Sequence, residues 1–157
     1  MKGGGTGAVR FAGIQPGSRD VVERIELTLD GMPLGNALRA LGEPDELFLM
    51  FGCGRGVHIH GKLFYPKESI EVQVQFPSRM RDRSSPVVLD DETPVLDVWY
   101  FDPASYDEWL LTIPENLRFR NGYFGIGLEE EAKILASDLQ SWPGLNVPIQ
   151  PLDICRR

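Results

Sequence analysis

Residues 57–76 read VHIHGKLFYPKESIEVQVQF, and this stretch decides the fold. Two runs of alternating apolar and polar residues flank the turn formers Pro66-Lys67-Glu68-Ser69. Strand side chains alternate between faces, so residues two apart share one. If Tyr65 faces Ile70, then Leu63 faces Val72, Gly61 faces Val74 and Ile59 faces Phe76. That register makes one face wholly apolar, whereas a one-residue slip would mix the two faces. His58, His60, Lys62, Glu71, Gln73 and Gln75 fall on the other face, with Phe64 the one apolar exception. This second face is expected to be solvated, with His60 opposite Gln75 and Lys62 opposite Gln73.

Upstream, Arg24 to Leu29 predicts a short strand leading into a helix. Leu34, Ala37, Leu38 and Leu41 then recur at helical spacing on one face. Asp30 or Gly31 is expected to cap that helix, with Pro33 in its first turn, where a missing N–H costs nothing. Gly42 provides a left-handed stop and Pro44 prevents continuation. Leu47 to Phe51 is an apolar strand. Residues 1–20 are Gly-rich and aperiodic and read as a flexible arm.

Downstream, residues 77–94 form a long polar connection read as a mobile loop. It has Arg79, Arg81 and Arg83 in its first half and Asp90, Asp91 and Glu92 in its second. Val95 to Phe101 is a further strand. Ser105 and Glu108 stand in capping-box spacing at the start of a second helix. Leu128, Ala132, Leu135, Leu139 and Trp142 predict a third helix over 128–141. The expected fold is therefore α+β: a short helix packed on an antiparallel sheet of about four strands, with a helical C-terminal extension, all within one domain over 21–157.

The 157-residue chain has a formal net charge of −7, which argues against general nucleic-acid binding, since that needs a dominant basic surface. No apolar run approaches the length of a membrane span. The start MKGGGTGAVRFAG lacks the apolar core of a secretory signal, which predicts a soluble, cytoplasmic chain. A processed or truncated lipoprotein of the cell envelope would read the same way. Cys53 and Cys155 do not make a disulfide framework.

Cys53, His58 and His60 are weak candidates for a metal, since zinc takes three or four Cys, His or carboxylate ligands. The plainer reading is two histidines on one strand face, brought together by the two-residue repeat. Gly52, Gly54 and Gly56 resemble a phosphate loop, but they lead into a strand rather than a helix. A Cys–His nucleophile would need an orienting group and an oxyanion site, and no Gly-x-Ser-x-Gly elbow is present. No cofactor is expected. The aromatics crowd towards the C-terminal half. Trp99, Tyr100 and Phe101 are consecutive, so a strand must send rings to both of its faces. Trp99, Tyr100 and Trp109 are the candidate binding surface, because aromatic residues are enriched at interfaces.

The segment Leu41-Gly42-Glu43-Pro44, the preceding Leu34 and Leu38, Tyr65-Pro66 and the run Ile70, Val72, Val74 together resemble a known pattern. It is similar to that of the small outer-membrane assembly lipoproteins (the SmpA/OmlA group) and related β-lactamase-inhibitor-like domains. The resemblance covers residues 25–76. It implies a bacterial, non-catalytic α+β module that binds other proteins. The chain departs from that family in showing neither a signal peptide nor a lipidated N-terminal cysteine. The expected function is a non-catalytic protein-binding or scaffold module. The alternatives are a small metal- or ligand-dependent enzyme centred on Cys53, His58 and His60, and an immunity or inhibitor protein acting through its acidic surface.

Overall fold

The computed structural model describes residues 8–12, 24–51, 59–76, 84–101 and 138–153. Seven strands form one sheet: β1 (Ala8–Ala12), β2 (Arg24–Pro33), β3 (Glu46–Phe51), β4 (Ile59–Tyr65), β5 (Ile70–Gln75), β7 (Pro94–Phe101) and β8 (Gln140–Ser141). Their order is β1-β2-β7-β5-β4-β3-β8, and every neighbouring pair is antiparallel. A second, two-stranded sheet pairs β6 (Val87–Val88) with β9 (Pro148–Ile149). Among the described residues the one helix is α1 (Leu34–Leu41).

This corrects the expected fold class. Among the described residues the sheet has seven strands rather than about four, and strand greatly outweighs helix. The predicted helix over 128–141 fails where it can be seen. Gln140 and Ser141 are strand β8, paired to Leu47 and Glu46 of β3. Its apolar spacing could not separate a helix from an edge strand, because the partner lies nearly a hundred residues upstream. The helix expected from Ser105 lies outside the described residues.

The hairpin register is the one its alternation predicts. Tyr65 pairs with Ile70, Leu63 with Val72, Gly61 with Val74 and His60 with Gln75. Extended across the sheet, it produces a continuous apolar row, Leu47–Leu63–Val72–Val98–Leu27, that meets Val9 of β1 in register. Leu47, Leu63, Val72 and Val98 are all buried, in one cluster with Leu34 and Ala37 of α1 and with Val87 and Ile149 of the small sheet. Gly61 sits inside this layer because nothing larger fits. A Cβ there would lie 2.5 Å from Val74 Cγ2 and 2.8 Å from Leu49 Cδ2.

Contrary to the sequence expectation, neither Asp30 nor Gly31 caps the start of α1. β2 runs on to Pro33, and Pro33 is itself the residue that precedes the helix. Its pairing with β7 shifts register between Thr28 and Met32, and Gly31 takes a φ of 71° within that irregular stretch. Such a φ favours glycine. The first helical N–H groups instead find partners far along the chain. Leu34 donates to the Thr93 carbonyl and Gly35 to that of Asp91. The acceptor turn is held by Asp90, whose Oδ1 accepts from Glu92 N and Thr93 Oγ1. Thus the second half of the long connection carries β6 and a fixed acidic turn, while residues 77–83 lie outside the described residues. Residues 8–12 of the expected N-terminal arm likewise form β1. At the other end of α1, Gly42 has a φ of 85° and donates to Leu38 O, the predicted glycine stop.

Candidate functional site

The second face of the hairpin is the largest departure from the sequence reading. Lys62 and Glu71 were expected in solvent, yet they are 2% and 0% exposed. Phe48, Met50, Phe64 and Trp99 are buried with them. The cross-strand row Trp99–Glu71–Phe64 and the neighbouring row Gln73–Lys62–Phe48 put these groups side by side. Lys62 and Glu71 are diagonal neighbours, and Lys62 Nζ lies 2.5 Å from Glu71 Oε1. Gln73 Nε2 donates to the same oxygen at 3.2 Å. The ammonium also stands 5.2 Å from the centroid of the Trp99 ring, within cation–π range. Glu71 Oε2 is buried with no hydrogen-bond partner among the described residues.

The chemistry of this centre is that of a locked pair. A carboxylate and an ammonium in contact neutralise each other, and burial is tolerated because each compensates the other. Sequence reasoning missed it because period-two polarity marks a face as polar without saying whether it is covered. The available signal was Phe64, two residues from Lys62 on the same strand face; Phe48, Met50 and Trp99 join that face through the strand pairing.

Of the predicted surface residues, Trp99 and Tyr100 fall on opposite faces. Trp99 is 8% exposed and belongs to the buried second face; Tyr100 is 37% exposed and pairs with Ile25 and Ile70 on the apolar side. The two therefore do not form one surface. Trp109 lies outside the described residues. So do Cys53 and His58. His60 holds the expected position in β4, opposite Gln75 on one side and Met50 on the other. Among the described residues no group of three or more His, Cys, Asp or Glu could hold a metal ion.

The apolar side is not evenly covered. α1 packs over the end of β2 and β7 where Met32 and Val95 pair. At the far end of β2, Ile25, Leu27 and Leu29 stay half-buried, with the more exposed Tyr100 beside Ile25. Sequence reasoning found Tyr100 from its aromatic neighbourhood but missed the β2 residues, whose exposure depends on where α1 ends.

Tyr65 links the two segments that carried the family resemblance. Its hydroxyl donates to Gly42 O at 3.0 Å, tying the β4–β5 turn to the end of α1. Burial, and then the nearby carboxylates of Glu68 and Glu43, push its pKa well above the ordinary tyrosine range. Asp45 N donates to Phe64 O close by. A groove of about 410 Å³ lies where β8 meets the segment 150–153, with Asp138, Gln140, Gln150 and Asp153 in its walls.

No family model matches the chain, and no curated protein or solved structure matches it either. No helix among the described residues is long and apolar enough to cross a membrane.

Proposed function

We propose that the chain is a non-catalytic protein-binding module that engages its partner on the flank of the sheet formed by Ile25, Leu27 and Tyr100. One observation carries this reading: β2 and β7 leave an apolar sheet surface half-open beyond the end of α1. Contiguous exposed apolar surface marks interaction sites, and a tyrosine offers a large contact area with a polar tip. The resemblance to small assembly lipoproteins supports the same reading, since those modules bind proteins. The locked Lys62–Glu71 pair fits a structural role better than a catalytic one, because both groups are buried and each lies against the other.

The test is capture from native extract on immobilised chain, with bound proteins identified by mass spectrometry. Ile25→Ser and Tyr100→Ser are each expected to lower recovery of the specific partner at least tenfold, while both variants stay folded under the capture conditions, with only a modest fall in the unfolding midpoint for the half-buried Ile25. Equal recovery by both variants and the unsubstituted chain would remove this surface from the binding role.

A further inference from the structure

The Lys62–Glu71 contact differs from a well-satisfied buried ion pair in two respects. Lys62 Nζ lies 2.5 Å from Glu71 Oε1, yet it is too poorly aligned to hydrogen-bond to it, and it has no other acceptor among the described residues. Glu71 Oε2 is also buried and has no hydrogen-bond partner there. Oε1, by contrast, accepts from Gln73 Nε2 at 3.2 Å. Charges taken out of water are sustained when directed hydrogen bonds satisfy their remaining protons and lone pairs. Here those of Nζ and Oε2 go unused, while the nitrogen is pressed against the carboxyl group.

We propose that Lys62 and Glu71 are a self-modification site, at which the two side chains condense within the folded chain into an amide that links β4 to β5. The ion pair is the reactant. A proton passes from Nζ to Oε2, leaving a neutral amine against a carboxylic acid. Nζ attacks Glu71 Cδ, and the new N–C bond forms. Negative charge collects on Oε1, where the Gln73 amide already donates. The Cδ–Oε2 bond then breaks, and Oε2 departs as water with two of the three ammonium protons. The third proton stays on the amide nitrogen. One positive and one negative charge are consumed together, so the step balances without any co-reactant.

The fold favours this step in three ways. The strand register makes the two side chains diagonal neighbours, since Lys62 pairs with Gln73 and Phe64 with Glu71. Reacting groups held in contact behave as if at an effective concentration of about 10⁵–10⁸ M. The cross-strand neighbours Phe48, Phe64 and Trp99 are all buried with the pair, which keeps out the water that would hydrolyse the product. An amide also carries no charge, so it removes the cost of holding two ions in that apolar layer. The inference goes beyond the proposed partner-binding function, and it concerns the face opposite the Ile25–Leu27–Tyr100 flank.

Mass spectrometry of the purified full chain tests it. After prolonged incubation at neutral pH, a species lighter than the sequence mass by one water should accumulate. Digestion with trypsin should then give a branched product, residues 56–67 joined to residues 68–79, because a linked Lys62 resists cleavage while Lys67 is still cut. Chain kept in urea throughout should retain its full mass, since only the fold brings the two groups together. Lys62→Arg, which keeps the positive charge beside Glu71, should also retain its full mass. An unsubstituted folded chain that stays at its full mass overturns the proposal. So does a water loss that persists in Lys62→Arg or in urea, which would place the dehydration at another residue. Partner capture on the opposite face reads a separate outcome, so either result can fail while the other stands.

Discussion

The two faces of the hairpin are both buried, but opposite physics holds them. On one, Leu63, Val72 and Val98 lie in a row of hydrocarbon whose burial is favourable for every residue. On the other, Lys62 and Glu71 are just as deep, and each is tolerated only because the other is there. Loss of a group on the first face leaves a hole; loss of a group on the second leaves a charge. The comparison teaches that alternation specifies register while saying little about which face meets water.

The largest expected effect strikes the second face. Lys62→Ala strands the Glu71 carboxylate in a buried site and should cost about 3–5 kcal/mol. The double replacement Lys62→Met with Glu71→Leu removes both charges and should recover most of that loss. Urea unfolding of the three proteins decides the matter. A double variant as unstable as the single one would mean that the pair contributes more than mutual neutralisation, and the contrast between the faces would weaken.

The first face is tested by filling rather than emptying it. Gly61→Ala places a methyl group against Val74 Cγ2 and Leu49 Cδ2. Overpacking of this kind costs about 1–3 kcal/mol. The unfolding midpoint should fall without a change in the denaturant dependence. A neutral result would show that the apolar layer has slack at its centre.

A smaller effect is expected at Tyr65, where the apolar row meets a polar contact. Tyr65→Phe loses the hydrogen bond to Gly42 O, worth about 0.5–1.5 kcal/mol. The same residue gives the fold a pH signature. In the unfolded chain the phenol ionises near its ordinary value of about 10, whereas in the fold it stays protonated well above that. Its contribution is fully present below the unfolded value and is lost as the pH rises through and beyond it, because only the unfolded state releases the proton. Stability should therefore decline above about pH 10, and Tyr65→Phe should flatten that decline.

These contrasts show what could be read from the chain. The hairpin register, α1 and its Gly42 stop were legible because each is fixed by residues within twenty or so of one another. The cap on α1 was not, because its acceptors, Asp91 and Thr93, come from a turn more than fifty residues away. β8 was hidden for the same reason, since Gln140 and Ser141 become a strand only through β3. At the candidate binding surface, Tyr100 was visible as part of an aromatic run, but its separation from Trp99 follows from the strand alternation that the run itself implies. Exposure of Ile25 and Leu27 depends on the reach of α1 over the sheet. Burial of Lys62 and Glu71 depends on what lies across a face, and local polarity carries no record of that.

The smallest expected effect isolates burial as the variable that separates the two faces. Lys67 and Asp45 form a second ion pair only a few residues from the first, with Lys67 Nζ 3.4 Å from Asp45 Oδ1. Here the side chains are 78% and 46% exposed. Water already solvates both ions, and ordering the long lysine side chain offsets much of the attraction, so such pairs contribute about 0–1 kcal/mol. Lys67→Ala should thus shift the unfolding midpoint only marginally, and added salt should erase the difference. The same lysine-to-alanine change at position 62 should be several kcal/mol worse, about 3–5 kcal/mol in all, and nearly indifferent to salt. If the two substitutions prove equally mild, the Lys62 ammonium reaches water in solution, and the second face behaves as the solvated surface its alternation describes.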